Sequence, residues 1–199
     1  MKKVDGLNKK AEIIETAMKV FVENDYDGTS MDEVALKSGI AKGTIYLYFK
    51  NKQQLFVEVI RELMRRFEVV IYDAADYKSE DTYRKMSHII NAMLNFIETN
   101  EKYFNMMERQ FHIIGKTIKK NQIDKMNESR IKMMNIFAKI VREGIEKKIF
   151  RKINPEVAAL VLFTIITAFS KLNLYTKGKK AVKAKSNEIM KFFMKGVGI

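Results

Sequence analysis

Lys37, Lys42, Lys50 and Lys52 lie in a stretch with no acid between Glu33 and Glu58. Gly43, Thr44, Tyr46 and Tyr48 are interleaved with them. Ammonium groups attract phosphates, and hydroxyls can donate to phosphates or to base edges. A glycine lets backbone come close to a phosphate. This combination points to nucleic-acid chemistry. The rest of the composition excludes several alternatives. No cysteine is present, which removes disulfides, thiolate metal sites and a cysteine nucleophile. Two histidines, His88 and His112, are too few for an imidazole-rich metal centre. No nucleophile motif or phosphate loop is found, so no enzyme, cofactor or metal is expected.

The elements that must position these residues read as helices throughout. Apolar residues recur at helical spacing, and one proline and nine glycines leave little room for turns. The first segment carries Ile13, Ile14, Ala17, Val20 and Phe21 and ends near Asn24. Ser30, with Glu33 three residues on, opens the second as a capping box, and Gly39 closes it. A short third segment spans about 41–47. Two short helices joined by a glycine turn fit the helix-turn-helix plan, with the third segment as recognition helix. The fourth opens at Asn51 with Gln54 at its third position and runs to about residue 76. Five more follow, at about 82–99, 100–115, 117–148, 155–175 and 180–195. Asn154-Pro155 is a strong helix start, since proline at the first helical position loses no bond. The expected fold class is all-α, with about nine helices and no strand.

Residues 21–55, FVENDYDGTSMDEVALKSGIAKGTIYLYFKNKQQL, resemble the N-terminal domain of the TetR family of bacterial transcriptional regulators. The matching positions are Ala17, Phe21, Tyr26, Thr29, Ser30, Val34, Ala35, Gly39, Ile40, Gly43, Thr44, Ile45, Tyr46, Tyr48, Phe49, Lys52 and Leu55. Asp25 stands where the family usually has glycine. Ser38 replaces the usual alanine. Ala41 replaces a serine or threonine, leaving the recognition helix without a side-chain cap. The resemblance implies a helix-turn-helix DNA-binding domain at residues 1–50 and a ligand-binding and dimerisation domain at 51–199. It places Thr29 (through side chain or backbone), Thr44, Tyr48 and Lys52 on the DNA backbone, and Lys42, Gly43 and Tyr46 nearest the base edges. Phe21, Val34, Ile45 and Phe49 are expected in the core.

The resemblance also implies a homodimeric repressor, released from double-stranded operator DNA by a small-molecule inducer of unknown identity. Residues 157–169 are apolar nearly all round, so that helix needs cover on two sides. A second copy would supply one, through Leu160, Phe163, Thr167, Ile189 and Phe193. Phe67, Ile71, Met93, Phe96, Phe104, Met107, Phe111, His112, Met133 and Phe137 are candidates to line the inducer cavity. A chromosome-organising DNA binder that senses nothing is the alternative.

The formal charge of +13 raises the expectation of a polyanionic partner. Yet residues 1–55 hold nine lysines and eight acids, a net +1, which leaves +12 for the remainder. The local acid-free stretch marks the candidate site better than the global charge. No apolar run approaches the roughly 20 residues of a membrane span. The start of the chain has no apolar segment behind its charges. A cytoplasmic protein with no membrane partner is expected.

Overall fold

The computed structural model describes residues 2–110, 120–170 and 181–197, with side chains of 2–7, 120–127 and 129 left aside. Among the described residues there are nine helices and no strand. They are α1 (Lys2–Gly28), α2 (Met31–Lys37), α3 (Lys42–Tyr48), α4 (Lys52–Ala75), α5 (Thr82–Thr99), α6 (Glu101–Arg109), α7 (Lys120–Glu146), α8 (Pro155–Ser170) and α9 (Val182–Val197). The fold is all-α. None of the described helices is long and apolar enough to cross a membrane.

Contacts divide the chain into two compact units, residues 1–66 with 100–123, and residues 67–99 with 124–199. This packing division does not fall at residue 50. The first turns of α4 bury Leu55, Phe56, Val59, Ile60 and Leu63, and the Phe56 ring meets that of Phe21 edge-on at 5.0 Å. Those turns are therefore core of the first unit. Its remaining core comes from Ile13, Ala17, Val20, Phe21, Val34, Ala35, Ile45 and Phe49, all buried.

Local chemistry explains the helix ends. The Ser30 hydroxyl accepts from the Glu33 amide at 3.1 Å, capping α2. The expected reciprocal bond is not made by Glu33, whose carboxylate takes the Asn24 amide at 2.8 Å and Lys37 at 3.1 Å. Asn51 caps α4 through the Gln54 amide at 2.8 Å, and the Gln54 side chain reaches back to the Lys50 amide. The Asn154 side chain accepts from the Val157 amide at 2.9 Å, completing the start of α8. Ala41 gives α3 no side-chain cap.

The second unit packs around Phe67, Ile71, Met86, Ile90, Met93, Phe137, Val141, Phe150, Leu162, Ile166, Ile189 and Phe193, all buried. Helix α7 ends with Lys148 in the left-handed region, φ 57°, and the Ile149 amide donates back to the Gly144 carbonyl at 2.8 Å. A side chain at Gly144 would overlap the Phe150 ring, so only glycine admits that aromatic wedge. Lys185 is fully buried, and its Nζ donates to the Glu98 carboxylate at 2.6 Å.

Candidate nucleic-acid interface

The site is built on α2 and α3. Gly39 turns the chain between them at φ 65°, a conformation that favours glycine. The Ile40 amide donates to the Ala35 carbonyl at 3.0 Å, closing the end of α2. Helix α3 has seven residues and buries one of them, Ile45. Phe49, just beyond it, is also fully buried. These two anchors turn the opposite face of α3 outward. Lys42, Gly43, Tyr46 and Leu47 are exposed, while Thr44 and Tyr48 are half-buried. Nothing lies within 4 Å of the position a Cβ would take on Gly43. A backbone could approach there unobstructed.

The cations behave differently from their linear pattern. Lys42 pairs with Asp32 at 2.6 Å, and this carboxylate holds the ammonium above its ordinary pKa. Lys37 pairs with Glu23 at 2.8 Å and Glu33 at 3.1 Å, which raise its pKa in the same way. Acids absent from the local stretch thus arrive from α1 and α2. Exposed pairs of this kind contribute little stability. Their partners can exchange for phosphates. Lys50 is exposed.

Two residues expected at the DNA backbone have side chains engaged inside the domain. Lys52 Nζ donates to the carbonyls of Tyr26 at 2.7 Å, Thr29 at 2.9 Å and Asp27 at 3.2 Å. It also lies 4.5 Å from the centre of the Tyr26 ring. An ammonium has three donors, and the end of α1 offers orphan carbonyls at the negative pole of the helix. Thr29 is buried, and its hydroxyl donates to the Asp25 carbonyl at 2.7 Å. A role for Thr29 on DNA would have to use its backbone.

Asp25 has φ 55° at the kink that ends the regular part of α1. This explains why glycine suits the position. With ψ −176° it lies outside the left-handed helical region, in backbone space that is essentially glycine's, so the aspartate is strained there. Its carboxylate pairs with Arg109 of α6 at 2.7 Å. Tyr26 packs against Phe21 and Phe56, and burial, then the charge of Asp27, push its phenol above the ordinary range.

The other expected sites are distributed as follows. Of the cavity candidates, Phe67, Ile71, Met93, Phe96, Met133 and Phe137 belong to the second unit, and the Phe67 and Phe96 rings meet at a tilt with centres 5.4 Å apart. Phe104 and Met107 belong to the first. Phe111 and His112 lie outside the described residues. A groove of about 320 Å³ opens instead on α8 and α9, lined by Ile153, Val157, Val161, Ile165, Phe192 and Val197 among others. A shallower one of about 260 Å³ is lined by Tyr77, Tyr83, Arg84, Ser87, His88 and Asn91.

On the dimer face, Leu160 is exposed and Phe163 and Thr167 are half-buried. Ile189 and Phe193 are buried within the chain itself. Helical spacing shows that residues share a face without showing what covers it. The outward apolar residues are Val157, Leu160, Val161 and Phe192, the last 62% exposed.

A short helix, a glycine turn and a second short helix with an exposed outer face make a helix-turn-helix head. Residues 13–59 match the family model described as bacterial regulatory proteins, tetR family. The chain therefore carries an N-terminal domain of the tetR family type. It is 26% identical over 191 residues to the fatty acid metabolism regulator protein of Bacillus subtilis, covering 95% of each chain. It is 27% identical over 163 residues to the HTH-type transcriptional regulator YhgD of the same organism, covering 82% of this chain and 83% of that one. The fold is that of the transcriptional regulator FadR from Bacillus subtilis, solved in complex with stearoyl-CoA. That likeness has a TM-score of 0.73 at 24% identity, over 94% of this chain and 98% of the other. A TetR/AcrR-family regulator from Thermobifida fusca gives a TM-score of 0.76 at 17% identity, over 95% and 98%.

Proposed function

We propose that the protein is a DNA-binding transcriptional regulator that represses as a homodimer and leaves its operator when a small molecule binds. The observation that carries the reading is the outer face of α3, where Lys42, Gly43 and Tyr46 stand exposed over a buried Ile45 and Phe49. A seven-residue helix held this way fits the major groove. In this reading residues 1–50 bind DNA, and residues 51–199 bind the ligand and pair with a second copy. Tyr46 and Lys42 approach the bases. Thr44, Tyr48 and Lys50 meet phosphates.

The apolar face of α8 and α9 supports dimerisation. Val157, Leu160, Val161 and Phe192 lie exposed around a groove with no charged residue in its lining. A twofold axis would bury this face against its own copy. Two heads then meet successive major grooves roughly 34 Å apart. A ligand favouring a different head separation releases the DNA only through its differential affinity for the two states.

Long-chain acyl thioesters are the first ligands to try, because the similar Bacillus subtilis FadR is in complex with stearoyl-CoA. The test is selection of duplexes from a randomised pool by the purified protein, followed by gel-shift titration. A single enriched palindromic site, lost with Tyr46→Ala and released by stearoyl-CoA, would support the whole reading. Binding spread over unrelated sequences would favour a chromosome-organising role instead. Retention of the site at saturating stearoyl-CoA would remove that ligand.

A further inference from the structure

The recognition helix is poor in the groups that usually read bases. Lys42–Tyr48 is KGTIYLY, with no arginine, asparagine, glutamine, aspartate or glutamate. Those residues make the paired hydrogen bonds that tell one base edge from another. Lys42 is the one residue of α3 with a charged side chain, and its ammonium is drawn to Asp32 at 2.6 Å.

What α3 does present is apolar. Leu47 is 83% exposed, although Ile45 two residues earlier is fully buried. An isolated exposed leucine means little on an ordinary surface. Here it shares a face with Gly43, four residues before it, and stands beside exposed Tyr46. Helical side chains lean over the preceding turn, so the Leu47 isobutyl group leans toward the side on which Gly43 offers no side chain. Nothing, the Leu47 side chain included, lies within 4 Å of the position a Cβ on Gly43 would take, so the backbone there is open to an approaching base edge. The outcome is a small apolar pad at the centre of the exposed face.

In the major groove one base edge carries an apolar group, the C5-methyl of thymine. We propose that Leu47 reads this methyl, so that the operator of this protein carries thymine opposite the Leu47–Gly43 pad in each half-site. Sequence choice then rests on methyl contact and the Tyr46 ring more than on paired hydrogen bonds. This inference rests on the DNA-binding reading of the head.

The test uses the full chain and the duplex enriched from a randomised pool. Each thymine of the half-site is replaced in turn by deoxyuridine, which removes the methyl and keeps base pairing. At one thymine per half-site the affinity should fall about fourfold for each methyl lost. Leu47→Ala should bind the thymine duplex more weakly and no longer distinguish thymine from deoxyuridine there. Because Leu47 lies outside the core, its variant should keep the wild-type unfolding midpoint. Deoxyuridine without effect at every position, or a Leu47→Ala protein as sensitive to it as the wild type, overturns the inference while leaving DNA binding intact. A pool from which no duplex is retained overturns the DNA-binding reading and the inference together.

Discussion

The two units use lysine in opposite ways. In the first, Lys52 places its ammonium among three backbone carbonyls at the end of α1, with no carboxylate among those hydrogen-bond partners. In the second, Lys185 is fully buried and meets the carboxylate of Glu98. The first arrangement depends on the shape of a turn. The second depends on a counter-charge, and it leaves a cation in low dielectric if that charge is removed. The difference teaches that a cation can fix a turn without a counter-charge, whereas a buried ion pair is safe only while both members remain.

The largest expected effect tests the buried pair. Glu98→Ala should lower stability to urea by about 3 kcal/mol, because it strands the Lys185 ammonium. Lys185→Met should cost far less, since it removes the charge and keeps the volume. Equal losses in the two variants would break the contrast. Next comes the turn. Lys52→Met should destabilise the head by about 2 kcal/mol, the range for bonds made by charged donors. In the folded protein its DNA affinity should keep the same slope against the logarithm of salt concentration. A slope reduced by about one would return Lys52 to the phosphates. The smallest effect concerns a third lysine. Lys148 sits at φ 57°. Lys148→Gly should raise the urea midpoint, by about 1 kcal/mol in stability, by relieving a left-handed residue.

The helices were legible because their signals are local. Asn154-Pro155, Asn51 with Gln54, and Ser30 before Glu33 each mark a helix start through bonds spanning three residues, and each bond is present. The engagement of Lys52 was not legible. Its acceptors at Tyr26, Asp27 and Thr29 lie more than twenty residues away in the chain, and no local pattern reports them. The acid-free stretch misled in the same way, since Asp32 and Glu23 fold back onto Lys42 and Lys37. Ile189 and Phe193 show the limit of periodicity. It sorts a face as apolar, but here its cover comes from the same chain. Leu47 carries a local signal of its own. An apolar residue on the outer side of a recognition helix, with glycine four residues before it, already points outward.

The kinked end of α1, with the turn that follows it, is held from three directions. Asp25 gives its carboxylate to Arg109 and its carbonyl to Thr29, and Lys52 gathers the carbonyls of Tyr26, Asp27 and Thr29. A connection of this kind does not fray. Its amide hydrogens should exchange with solvent only when the whole head opens, at the same rate as those of the surrounding helices. A protease that searches for loose loops should pass this turn by, although it is short, polar and on the outside of the domain.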